Sequence, residues 1–135
     1  MPARDFEWIP HTADLAMRAY GHDLAEVFVN AAVGLLSVMA EPPATEDREQ
    51  RIDVDSPDRD ALLVDWLNEL IFRHETDGET YARFVIDTLT DTHLAARAFG
   101  GATTRKLKTV KAATYHDLSV VDTGDGVEAR IVFDV

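Results

Sequence analysis

The sequence predicts an α+β domain in which two main helices pack on a mostly antiparallel sheet. Two stretches carry apolar residues at helical spacing, and about seven short runs alternate apolar with polar residues. The strand-like runs also sit next to one another in sequence, which favours hairpins over alternating βαβ units.

Phe6 and Trp8 alternate with Asp5 and Glu7, and Leu15, Met17 and Ala19 alternate with Ala16, Arg18 and Tyr20. Both runs read as half-buried strands that pair. His11-Thr12-Ala13-Asp14 lies between them. Thr12 and Asp14 suit a turn, because their side chains bond local backbone. A plain hairpin turn more often uses Asn-Gly, Asp-Gly or a Gly pair. The first helix is expected from Leu24 to Ala40, capped by Asp23 with Glu26 three residues on, and ended before Pro42-Pro43. Residues 41–50 read as a charged surface loop. Ile52 and Val54 mark a short strand. Ser56-Pro57 reads as the start of the second helix, with proline at its first position. Leu62, Leu63, Trp66, Leu67, Leu70 and Ile71 give that helix a wide apolar face centred on Trp66, ending near Glu75 before Gly78.

Phe84 and Ile86 begin a further strand, which Asp91-Thr92 turns back into Leu94–Phe99. Residues 100–108 fit neither pattern. Val110–Tyr115 and Leu118–Val121 read as strands, and Thr123-Gly124-Asp125-Gly126 as a turn. Val127, Ala129, Ile131 and Phe133 then alternate with polar neighbours, so the sequence is expected to finish inside a strand without a tail.

A chain of 135 residues, 46% hydrophobic and 28% charged, fits one globular domain spanning 1–135. Its 13 Lys and Arg against 25 Asp and Glu leave a net charge of −12. Direct nucleic-acid binding is not expected, because gripping a phosphate backbone needs basic residues. There is no cysteine, which removes disulfides, thiolate catalysis and Cys-based zinc sites. The N-terminus shows no apolar core of a signal peptide. No apolar run approaches the ~20 residues of a membrane helix. A cytoplasmic protein without membrane contact is expected.

The ending Phe133-Asp134-Val135 carries the first chemical hint. If Phe133 is core, the Asp134 carboxylate and the main-chain carboxylate of Val135 are held close together and repel. Asp14 would add a third hard oxygen group, the kind that Ca²⁺, Mg²⁺ and Mn²⁺ accept. From residue types alone the plainer reading is favoured: a solvated strand-end charge and a turn residue, with nothing in the spacing showing that they meet. His11 and His116 are acid–base candidates if either pairs with an Asp, although a histidine bonded to backbone is at least as common. His22, His74 and His93 read as surface positions. Arg105, Lys106, Lys108 and Lys111 form the basic cluster, read as a solvated face or a docking spot for an anionic group. No G-x-S-x-G, phosphate loop or H-E-x-x-H is present.

Together these pieces resemble the archease family from end to end. The matching segments are His11-Thr12-Ala13-Asp14 with Arg18-Ala19-Tyr20-Gly21, Asp65-Trp66-Leu67-Asn68-Glu69-Leu70, Val110-Lys111-Ala112 with Thr114-Tyr115-His116, and Val132-Phe133-Asp134-Val135. The resemblance implies the compact archease fold. It implies a metal-binding cofactor protein, with no catalytic residues of its own, that activates an RtcB-type RNA ligase in tRNA splicing and RNA repair. It places the metal ligands at Asp14, Asp134 and Val135, with Ca²⁺ first and Mg²⁺ or Mn²⁺ as alternatives. His11 and His116 take supporting or structural roles. Two stretches depart from the family pattern, Gly100–Thr109 and Gly126-Val127. The alternatives are a small metal-dependent phosphoester hydrolase using Asp14 with a histidine, and a chaperone-like protein-binding module.

Overall fold

Two aspartates set where the helices begin. Asp23 has extended backbone and its side chain accepts from the Glu26 amide, so α1 spans Leu24–Met39. Glu26 reaches back to the His22 amide at 3.1 Å, one residue before the usual capping-box partner. Asp58 caps α2, Arg59–Asp77, by accepting from the Ala61 amide at 2.8 Å. The second helix therefore starts later than Ser56-Pro57 suggests. Ser56 is held elsewhere: its hydroxyl donates to Asp65 at 2.6 Å and its amide to the Thr92 carbonyl. α2 ends at Gly78, whose φ of 64° is the left-handed turn that glycine adopts without a Cβ clash.

The computed structural model describes residues 5–10 and 14–135. Among these are seven strands: β1 (Phe6–Ile9), β2 (Leu15–Gly21), β3 (Arg48–Asp55), β4 (Glu79–Leu89), β5 (His93–Ala102), β6 (Ala112–Thr123) and β7 (Gly126–Asp134). Every pairing is antiparallel. One sheet runs β1-β2-β7-β6 and the other β3-β5-β4. α1 contacts β2 of the first sheet and β4 of the second, while α2 packs mainly on β6. One core joins the layers. Trp66 is fully buried, donates to the Phe28 carbonyl at 3.0 Å and meets Phe84 edge-on at 5.8 Å. Gly34 lets α1 lie close on the sheet: a Cβ there would stand 2.9 Å from Met17 and Phe6 side-chain atoms.

Several strands are longer than the apolar alternation indicates. β3 begins at Arg48 rather than Ile52, and β4 at Glu79 rather than Phe84. The missed residues are polar yet paired. Glu79 is buried, and its carboxylate accepts from Arg48 at 2.8 Å, Gln50 at 3.1 Å and the Tyr81 hydroxyl at 3.1 Å. The expected loop of 41–50 therefore gives its last three residues to a strand. Residues 100–102 extend β5 by pairing with Glu79–Tyr81, and glycine is needed at 100 because a Cβ there would overlap the Thr80 carbonyl oxygen. The two strand runs around His116 form one strand, β6, with an irregularity between Thr114 and Ser119. His74 is no surface residue. It is buried under the α2–β4 turn, with Nδ1 2.8 Å from the Glu79 carbonyl oxygen. Among the described residues no helix is long and apolar enough to cross a membrane.

Candidate metal centre

The register of the first sheet decides what lies near the end of β7. Leu15 of β2 faces Phe133, and Met17 faces Ile131. These inward residues bury the sheet's core face, which turns Asp134 outward, where it is exposed. Asp14 immediately precedes Leu15, in a bend. Asp14 thus directly precedes the first residue of the β2–β7 ladder, as Asp134 directly follows Phe133.

On its other side β7 is anchored by β6. Ala112 faces Asp134, and the Lys111 amide donates to the Asp134 carbonyl at 2.8 Å. Val135 packs its side chain against the core, which fixes where its main-chain carboxyl stands. β6 is itself held from outside the sheet. Asn68 of α2 accepts from the Ala113 amide at 2.7 Å and donates to the Ala113 carbonyl at 3.2 Å, so one side chain stands in for a neighbouring strand. The chain of support runs from α2 through β6 to β7.

Of the sequence-selected residues, Asp14 precedes β2 and Asp134 and Val135 close β7, at the end where Leu15 pairs with Phe133. His11 lies outside the described residues. His116 does not join the group by register. It sits in the irregular part of β6, where the register with β7 is interrupted. Its Nε2 lies 3.4 Å from Asp117, whose φ of 53° is the left-handed conformation that Asp tolerates. Among the described residues no group of three or more His, Cys, Asp or Glu side chains is placed to hold a metal ion. The side-chain oxygens expected to hold a cation are the carboxylates of Asp14 and Asp134. Both are hard oxygens. Those residues fit a divalent cation of the Ca²⁺, Mg²⁺ or Mn²⁺ type, with a shell completed from outside the pair.

Asn68 escapes a reading based on apolar spacing, because it lies one residue off the buried stripe of α2. Its neighbours have equally structural roles: Asp65 holds Ser56, and Trp66 fills the core.

The family model for the archease protein family (MTH1598/TM1083) matches residues 6–135. The chain belongs to the archease family. It is 37% identical to protein archease of Methanothermobacter thermautotrophicus over 139 aligned positions, covering 98% of this chain and 99% of that one. It is 33% identical to protein archease of Methanosarcina barkeri, covering 98% and 97%. The solution structure of Methanobacterium thermoautotrophicum protein 1598 is similar at a TM-score of 0.79 and 36% identity, over 97% of this chain and 99% of that one. The crystal structure of a Thermotoga maritima archease, described as a possible chaperone, is similar at a TM-score of 0.66 and 25% identity, over 94% of each. The archease fold expected from the sequence is thus the fold observed.

Proposed function

We propose that this archease is a cytoplasmic, metal-binding cofactor protein for an RtcB-type RNA ligase, with no catalysis of its own. It would promote reaction of the ligase with its guanine nucleotide, and repeated turnover, in tRNA splicing and RNA repair. The observation that carries this reading is the β2–β7 register, which pairs Leu15, the residue after Asp14, with Phe133, the residue before Asp134. A bound divalent cation would supply a positive charge that neutralises these carboxylates and can be presented to an oxygen-rich partner site.

The chain's own residues do the positioning. Phe133 locks the end of β7 into the core. Lys111 holds the Asp134 backbone, and Asn68 keeps the supporting strand in place.

The test is a reconstituted ligation with the ligase of the same organism. The protein is expected to raise ligase guanylylation and convert single into multiple turnover, and Asp14→Asn and Asp134→Asn to abolish both effects. Unchanged guanylylation and turnover at stoichiometric protein would reject the reading. Phosphoester turnover by the protein alone would favour the hydrolase.

A further inference from the structure

α2 and β6 meet along a seam that Asn68 and Ala113 close. Phe72 lies one turn beyond Asn68 on α2 and is 61% exposed. Tyr115 lies two residues beyond Ala113 on β6 and is 60% exposed. Tyr115 stands near the α2 carboxylates Asp65 and Asp58, whose charges, after partial burial, help raise its pKa. The remaining large exposed apolar side chains among the described residues are Val121 on β6 and Leu107 on the segment leading into β6. Single exposed apolar residues are ordinary. Two exposed rings on the two elements of one seam mark an interaction surface, whereas Leu107 lies on the α1 side, where its amide bonds the Met39 carbonyl. The irregularity after Thr114 takes Tyr115, His116, Asp117 and Leu118 out of the ladder with β7, so this edge is shaped differently from a plain strand.

The charge of the seam narrows the partner. α2 with its cap and β6 carry eight Asp and Glu against Arg59 and Arg73, with Lys111 just before β6 and Lys106 paired to Glu75 at 3.5 Å. Both arginines are occupied: Arg59 donates to the Val120 carbonyl at 3.0 Å, and Arg73 pairs with Glu69 at 2.7 Å. An acidic surface with two exposed rings repels a polyanion. It complements a basic protein surface with an apolar recess.

We propose that the α2–β6 seam, anchored by Phe72 and Tyr115, is the surface by which this protein docks on a basic, RNA-handling enzyme. The proposal rests on the ligase reading above and adds where the enzyme sits. Ala112 of β6 faces Asp134, so an enzyme seated on the seam has that carboxylate roughly 10 Å from the contact at ordinary strand spacings. The carboxylate end of the sheet then lies at the rim of the interface.

The test is calorimetric titration of the protein into the ligase of the same organism, at two salt concentrations. The Phe72→Ser/Tyr115→Ser double variant is expected to lose at least about tenfold in affinity, the effect of removing interface anchors, with an unchanged thermal midpoint. Its activation of the ligase should recover at raised concentration. Asp14→Asn should bind like the parent and fail to activate. If the double variant loses thermal stability, a photo-crosslinking residue at position 72 answers instead, by joining or failing to join the ligase. Parental affinity in a folded double variant, or no crosslink, overturns the seam. Competition by unfolded casein as strong as by the ligase also overturns it, in favour of a general chaperone surface. Absence of any binding by the parent protein removes the ligase reading, and the seam with it.

Discussion

Asn68→Ala removes the side chain that acts as a substitute strand for the edge of the first sheet. Two hydrogen bonds go with it, the 2.7 Å bond from the Ala113 amide and the 3.2 Å bond to its carbonyl. Each contributes about 0.5–1.5 kcal/mol net, so the expected loss is about 1–3 kcal/mol. At roughly 2.1 cal/mol/K per residue of unfolding entropy, a chain of 135 residues loses about 3–4 °C per kcal/mol. The midpoint should therefore fall by about 4–10 °C. Asn68→Asp should cost more than alanine, because it sets a carboxylate oxygen against the Ala113 carbonyl. Urea unfolding gives the stability. Amide exchange gives the location: the Ala113 amide should lose protection sooner than that of Ala129, which sits between β2 and β6. Unchanged stability together with unchanged Ala113 protection would refute the idea that α2 braces this edge.

Other outcomes follow from the same contacts. Trp66→Ala empties a fully buried site and leaves the Phe28 carbonyl without its donor; urea unfolding should show a loss of at least ~3–5 kcal/mol. Gly100→Ala forces a Cβ into the Thr80 carbonyl; circular dichroism should show a markedly lower midpoint, since neither backbone can yield easily. Burial, then the charge of Glu79, raises the pKa of Tyr81 above its ordinary value of 10. Below pH 10 the hydroxyl is protonated whether the chain is folded or not. Above it the unfolded chain loses this proton while the folded one keeps it, so stability falls as pH rises. Burial and a hydrogen bond to Glu7 move Tyr20 in the same direction. Urea midpoints measured across pH 9–11 should decline, and less steeply in Tyr81→Phe; an equal decline would argue against Tyr81 as a source.

Much of the fold was legible because the apolar residues alternate cleanly in the right places. The pairing of Phe6–Ile9 with the run from Leu15 was visible in that alternation, and so was the face of α2 around Trp66. The failures have a common cause. Where a buried or paired position is filled by a polar group or by glycine, periodicity is silent. Glu79 and Thr80 hide the start of β4, and Gly100 and Gly101 hide the end of β5. His74 was misplaced for the same reason, since its burial depends on the Glu79 carbonyl, which no spacing reveals. Ser56-Pro57 imitates a helix start convincingly, but Asp58 lies in the position that can reach the Ala61 amide. The candidate centre was half legible. Asp14 and Asp134 stand out as residue types, but no spacing reveals that β2 pairs with β7.

Cation binding at this candidate centre is measured most directly by calorimetric titration of Ca²⁺ into three forms: the parent, Asp134→Asn, and the parent extended by a few residues after Val135. The parent should bind one saturating equivalent. Asp134→Asn should lose at least about tenfold in affinity, about 1.4 kcal/mol. The extended form should weaken as well, with its thermal midpoint unchanged. Three superimposable isotherms, or no saturable heat in the parent with Ca²⁺, Mg²⁺ or Mn²⁺, would contradict a metal centre built from the two ends of the chain.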